Sequence, residues 1–237
     1  KTLGLLLSAA MLASCGTSSI QDITGPLAGA RIRFFNFGIN APSVNFYANG
    51  TKMSATSSTT GVEATTGVSY GSVSAGGNYS TIAPGSYALT GKIAAPVDKD
   101  LVVSSLTGAV ANGKLYSFYI SGFYDATAKS VEGFLVEDAM PATFDYTQAY
   151  VRFVNASPNS SPMTLYAKNT TTTTEVAVGD LVAYKAGGAF TAVPAAVYDL
   201  GTRVSGSSTN AISRTAVSFV AGSDGAQVMA LQYPRRA

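Results

Sequence analysis

The chain of 237 residues contains no histidine, no tryptophan and one cysteine, Cys15. Histidine is the side chain that titrates nearest neutrality, so its absence removes the usual general base and the commonest neutral metal ligand. A single thiol rules out an internal disulfide and a multi-cysteine zinc site. Charge is scarce as well: only 12% of residues are charged, fifteen Lys and Arg against thirteen Asp and Glu. Nucleic acid is not expected as a partner, because phosphate binding needs a clustered basic surface and Arg235-Arg236 is the only adjacent basic pair. Long amphipathic helices are not expected either, since Leu, Glu, Lys and Arg are too few to build them. After the N-terminus, no stretch approaches the ~20 apolar residues of a membrane-spanning helix.

The N-terminus itself carries the most specific local pattern. Lys1 precedes an apolar run through Leu5, Leu6, Leu7, Ala9, Ala10 and Met11, and Leu12-Ala13-Ser14-Cys15 follows. Basic, then apolar, then small residues is the order of a secretory signal, and a small pair before cysteine is that of a bacterial lipobox. Cleavage before Cys15 and its acylation would explain the odd thiol. Acyl chains add about 0.8 kcal/mol per buried methylene, and two or more hold a protein stably at a bilayer. The competing reading is a buried N-terminal helix with an incidental core cysteine; Gly16-Thr17-Ser18-Ser19 speaks against it, being suited to a flexible tether. Gly16, rather than Asp, after the cysteine favours the outer membrane.

The remainder is rich in Gly, Ser, Thr, Ala, Val and Tyr, a mixture suited to short strands and tight turns. It is also duplicated. Ala30-Arg31-Ile32-Arg33-Phe34-Phe35-Asn36 aligns with Ala149-Tyr150-Val151-Arg152-Phe153-Val154-Asn155, and the register continues through Asn40 with Asn159, Tyr47 with Tyr166 and Ala48 with Ala167. Farther on, Ala75-Gly76-Gly77, Tyr79, Pro84 and Tyr87 resemble Ala186-Gly187-Gly188, Phe190, Pro194 and Tyr198. Strands are expected over 31–37, 44–48, 87–93, 101–106, 115–123 and 131–136, and again over 150–155, 164–168, 197–204, 215–220 and 228–233. In 115–123, both alternating faces are largely apolar or small, so both are expected to be covered. The second copy has no counterpart to the closing strand near 133–136.

About seven short strands per copy, separated by turns, predicts an all-β fold. The expected architecture is two tandem immunoglobulin-like or transthyretin-like Greek-key β-sandwiches after a cleaved lipoprotein signal peptide. The expected segments are a signal peptide at 1–14, a lipidated tether at 15–29, a first module at 30–138, a linker at 139–148 and a shorter second module at 149–237.

Arg33-Phe34-Phe35-Asn36 with Asn40-Ala41-Pro42 and Val44-Asn45-Phe46-Tyr47-Ala48-Asn49-Gly50 resembles the opening motif of the domain-of-unknown-function 4397 family. Arg152-Phe153-Val154-Asn155-Ala156-Ser157-Pro158-Asn159 does so again, Pro84-Gly85-Ser86-Tyr87 is similar to its second signature, and Leu135-Val136-Glu137-Asp138 to its closing strand. The resemblance implies β-sandwich modules on bacterial or archaeal envelope proteins and no defined activity. Many members carry histidine at the positions of Asn36 and Asn155, so imidazole chemistry is not available to this chain.

Arg33 and Arg152, repeated charges inside apolar strands, admit two readings. They are either ligand-binding guanidiniums, or structural groups packed by their stems and paired with a carboxylate such as Asp138 or Asp199; the second is expected. Tyr47 and Tyr166, with Tyr116, Tyr119 and Tyr124, could form an exposed aromatic strip for carbohydrate or belong to core and rim. Asn36 and Asn155 suit Asx-type turn bonding. Asp98-Lys99-Asp100 is either a weak calcium motif or a solvated turn. Glu137-Asp138, the only adjacent acidic pair, would point to opposite faces of a strand. The expectation is a non-enzymatic outer-membrane lipoprotein without cofactor or metal, anchored through Cys15 and acting in surface binding, adhesion or assembly with an envelope protein or glycan. The alternative is an accessory ligand- or glycan-binding subunit of a periplasmic enzyme or transporter, with Arg33 and Arg152 facing a cleft.

Overall fold

The computed structural model describes residues 28–54, 66–221 and 226–231, the last six as backbone. Apart from one 3₁₀ turn at Ser74–Gly77, every regular element in them is a strand. The first half contains β1 (Ala30–Ile39), β2 (Val44–Ala48), β3 (Thr51–Lys52), β4 (Ser72–Val73), β5 (Ser80–Ile82), β6 (Gly85–Ile93), β7 (Val102–Val110), β8 (Leu115–Phe123) and β9 (Gly133–Glu137). One sheet runs β4-β1-β8-β9, with β5 also on β1, and the other β3-β2-β6-β7. The second half contains β10 (Gln148–Asn155), β11 (Met163–Asn169), β12 (Glu175–Val182), β13 (Ala186–Gly187), β14 (Thr191–Pro194), β15 (Ala196–Val204), β16 (Ile212–Phe219) and β17 (Ala226–Leu231). Here β10 pairs with β13, β14 and β17, and the opposing sheet runs β12-β11-β15-β16. Ladders are antiparallel except β1 with β8 and β10 with β17.

Each half is a sandwich because its strands alternate. Ile32 and Phe34 of β1 and Phe118 and Ile120 of β8 meet Phe46 of β2 and Leu89 of β6 in one buried cluster. Phe34 stacks on Phe46 with centroids 5.1 Å apart, and Phe118 meets Phe34 edge-on. Val151 and Phe153 of β10 likewise face Leu165, Leu200 and Phe219 across the second core. Fully burying each such side chain contributes about 1.5–3 kcal/mol. The all-β sandwich expected from composition and turns is the observed fold.

The other face of the β1-β8-β9 sheet is buried too, and the second half covers it. Phe35, Tyr119 and Phe134 form a stack with neighbouring centroids 4.6 and 4.9 Å apart, and Val154 and Ala156 from the second half complete the cluster. The Ser121 hydroxyl donates to the Ala156 carbonyl at 2.8 Å. This is why 115–123 reads as apolar or small on both faces: one face serves its own core and the other the second sandwich.

The duplication holds at the level of individual hydrogen bonds. The Tyr87 hydroxyl donates to the Ala83 carbonyl and that of Tyr198 to Pro194, each four residues upstream. Asn36 Oδ1 accepts from Gly38 N and Asn155 Oδ1 from Ser157 N, the expected Asx bonding; both asparagines are fully buried and also donate, to the carbonyls of Val68 and Val182.

One alignment is corrected. Asn36 pairs with Ser72 and Asn155 with Ala186, so Ala186-Gly187 corresponds to Ser72-Val73. The look-alike Ala75-Gly76-Gly77 belongs to the 3₁₀ turn after it. Three small residues carry too little information to fix a register.

Strands β3, β4, β5, β13 and β14 were not expected, being two to four residues long. Strand β12 is long and was also not expected. Gly179 interrupts it at φ +74°, and the ladder with β11 shifts register between Met163 and Leu165; an inserted glycine bulge of this kind breaks the alternation by which strands are read. Within the described residues, β17 has no neighbour corresponding to β9.

Gly187 sits where the halves meet. A Cβ there would lie 2.9 Å from Val136 Cγ1, closer than packed carbons tolerate. Gly187→Val is expected to cost about 1–3 kcal/mol by overpacking, measured by urea unfolding, with Val136→Ala recovering part of the loss. An unchanged midpoint would mean that this contact is not tight.

Candidate functional site

Alternation along β1 that sends Ile32 and Phe34 into the core sends Arg33, Phe35 and Phe37 out of it, and β10 does the same with Arg152 and Val154. Because these outer faces meet, both arginines are buried, Arg33 at 9% exposure and Arg152 at 2%. Asp138, the residue after β9, lies at the same junction with its side chain fully buried. Its backbone N–H bonds to the Leu115 carbonyl at 2.7 Å, fixing its position against β8.

One carboxylate serves both guanidiniums. Arg152 Nη2 donates to Asp138 Oδ1 and its Nη1 to the Glu137 carbonyl at 2.9 Å. Oδ2 accepts from the Ser117 hydroxyl at 2.6 Å and the Tyr79 hydroxyl at 2.5 Å. Arg33 Nη2 stands 3.5 Å from Oδ2, and its Nε donates to Ser117 Oγ at 3.0 Å. The site therefore holds two positive charges against one negative charge, and aromatic rings attract the excess. The Arg33 guanidinium lies 4.4 Å from the Tyr79 ring centroid and that of Arg152 4.9 Å from Phe190, two rings at matching places in the repeat.

This environment suppresses phenol ionisation. Burial first, then the Asp138 charge, pushes Tyr79 well above its ordinary value, and the same two causes push Tyr119 up to about 12. Burial raises Tyr184, also at the junction, to about 12, with Glu132 adding to the rise and a Ser121 hydrogen bond opposing it.

Of the paired carboxylates considered for the arginines, Asp138 is the one found; Asp199 instead accepts from Ala216 N. Tyr47 and Tyr166 do not join the junction. Each carries a cation over its ring, Lys92 Nζ at 4.4 Å from Tyr47 and the Arg203 guanidinium at 4.3 Å from Tyr166. Arg203 also grips Glu175 through both terminal nitrogens, at 2.7 and 2.6 Å, which holds that carboxyl below its usual range.

Of the two readings of the tyrosines, the structure shows core and rim rather than an exposed strip: Tyr47, Tyr116 and Tyr119 are buried, and Tyr124 packs against the first core. Asp98 and Asp100 occupy a turn at φ +56° and +64°, not a strand, and Asp98 pairs with Lys129 at 2.5 Å. Glu137 bonds exposed Lys114 at 2.6 Å while Asp138 points inward. Among the described residues, no group of three acidic or cysteine side chains is placed to hold a metal. Cys15, the signal segment, the tether and Arg235-Arg236 lie outside the described residues.

Sequence reasoning missed that Asp138 is shared, and that Ser117 and Tyr79 complete its shell. The available signal was the matching of Tyr79 with Phe190, each three residues before the position, Ile82 or Val193, that pairs with the alanine three residues ahead of its arginine. No family model and no curated protein matches this chain.

Asp138→Asn leaves two buried cations without a counter-charge and is expected to lower stability by about 3–5 kcal/mol, read by urea unfolding. Arg152→Met is expected to cost more than Arg33→Met, since Arg152 makes the closer contacts. A loss below about 1 kcal/mol for Asp138→Asn would contradict the assignment.

Alkali supplies a second test. Unfolded phenols lose their protons near pH 10, whereas buried Tyr79 and Tyr119 keep theirs to higher pH, so the folded state binds more protons from about pH 10 to 12 and stability falls as pH rises through that window. The urea midpoint should decline across it, and Tyr119→Phe should flatten the decline; a flat wild-type profile would refute the burial of these phenols.

Proposed function

We propose that this protein is a non-enzymatic, membrane-anchored envelope lipoprotein whose two coupled sandwiches act as one surface-binding, adhesion or assembly module. The observation that carries this reading is the Asp138 junction. The repeated arginines, the strongest candidates for substrate chemistry, are consumed internally by one carboxylate and by aromatic rings. The tyrosines at matching places are covered by Lys92 and Arg203. Ser/Thr-rich loops such as the threonine run at 170–174 support recognition rather than turnover.

The anchor is supported by Leu12-Ala13-Ser14-Cys15 after a basic and apolar segment. Gly16 supports an outer-membrane address, and the resemblance to the domain-of-unknown-function 4397 family belongs to the same proposal. The accessory-subunit alternative requires Arg33 and Arg152 to face a cleft; at 9% and 2% exposure they face each other's sandwich instead.

Expression in a bacterial host fed an alkyne-tagged fatty acid tests the anchor. Label should enter the wild-type chain and be absent from Cys15→Ala, which should leave the membrane fraction. Equal labelling of both, or of neither, would overturn the lipoprotein reading.

A further inference from the structure

A pocket of about 200 Å³ opens in the first sandwich beside β2, lined by Asn45, Ser54, Ser69, Ser72 and Ser74 together with small and apolar residues and, among the described residues, no charged side chain. Three of these polar side chains belong to residues more than nine-tenths buried: Asn45 at 3%, Ser74 at 4% and Ser54 at 8% exposure. Ser54 Oγ accepts from Phe46 N at 3.2 Å and donates to Asn45 Oδ1 at 3.4 Å. That bond orients the Asn45 amide. Ser69 and Ser72 form a second hydroxyl pair, 3.1 Å apart.

The repeat provides an internal control. Gly71 N bonds Asn36 O and Lys185 N bonds Asn155 O; Ser72 N bonds Ser69 O and Ala186 N bonds Ala183 O. The two segments therefore share one backbone path, and Ser69, Ser72 and Ser74 stand where the second half has Ala183, Ala186 and Gly188. Asn45 stands where it has Thr164. The turn is built without hydroxyls in one copy, so folding does not explain them in the other.

We propose that this pocket binds a small neutral polyol, a single sugar unit or the terminal unit of a glycan. A lining of hydroxyls and one amide offers both donors and acceptors, matching a ring of hydroxyls. A charged ligand would lose its hydration here without a counter-charge. The volume is below the ~300–1,000 Å³ of drug-sized sites and several times the ~30 Å³ share of one water, the scale of one sugar ring. The proposal rests on the reading of the chain as a binding module and gives that reading a ligand class.

Saturation-transfer NMR on the full chain tests it, with glucose, galactose, mannose, N-acetylglucosamine, inositol and glycerol as probes and glucuronate as the acidic comparison. At least one neutral probe should bind, and Ser69→Ala/Ser72→Ala should weaken that binding about tenfold or more. The melting temperature should hold, since the second half carries alanine at both places. No neutral binder, binding unchanged in the double variant, or preference for glucuronate would overturn the site, the first meaning that the pocket holds water only. Conversion of a bound sugar would support the pocket and overturn the non-enzymatic reading, while failure of Cys15 labelling would overturn the anchor and leave the pocket standing.

Discussion

Asp138 is a buried carboxylate with two guanidiniums to satisfy, one from each sandwich. Arg33 reaches it across β8 from the first half, and Arg152 reaches it from β10 of the second. Neither arginine can be left alone in so dry a place, because an unpaired buried charge costs several kcal/mol. The junction therefore has a polar centre with exact partners in sequence and an apolar surround of Phe35, Tyr119, Phe134, Val154 and Ala156. The apolar cluster supplies non-directional burial energy. The carboxylate supplies register, since it can meet both guanidiniums in one relative placement of the halves.

The duplication explains how such a centre arises and why it is asymmetric. In the first half, β9 runs beside β8 and delivers Asp138 next to Arg33. The second half shows β17 beside β10 but no described counterpart of β9, so Arg152 takes its counter-charge from the first. The rings follow the repeat while their polar ends do not: Tyr79 covers Arg33 and donates to Asp138, and Phe190 covers Arg152 without a hydroxyl. The Ser-lined pocket shows the same divergence, hydroxyls in one copy and Ala or Gly in the other.

Much of this was legible in the sequence, for physical reasons. The all-β character followed from β-branched and aromatic residues with turn-forming glycines and asparagines, and the repeat followed from a gap-free match across two strands. The double-sided burial of β8 could be read from Tyr119 and Phe118 pointing to opposite faces, although what covered the outer face could not. The short strands were not legible because a two-residue ladder leaves no periodicity, and β12 was not because Gly179 bends it out of register. The sharing of Asp138 was hidden because pairing across a junction depends on the placement of two sheets, which no local pattern encodes. The segment around 139–148 was expected as a linker; the contacts of Arg152 with Glu137 and Asp138 across it make the halves neighbours in fact.

If the junction couples the sandwiches as described, they unfold together. Differential scanning calorimetry of the whole chain tests this most directly. The account predicts one transition with equal calorimetric and van't Hoff enthalpies. Two resolved transitions, each with the enthalpy of one sandwich, would contradict it.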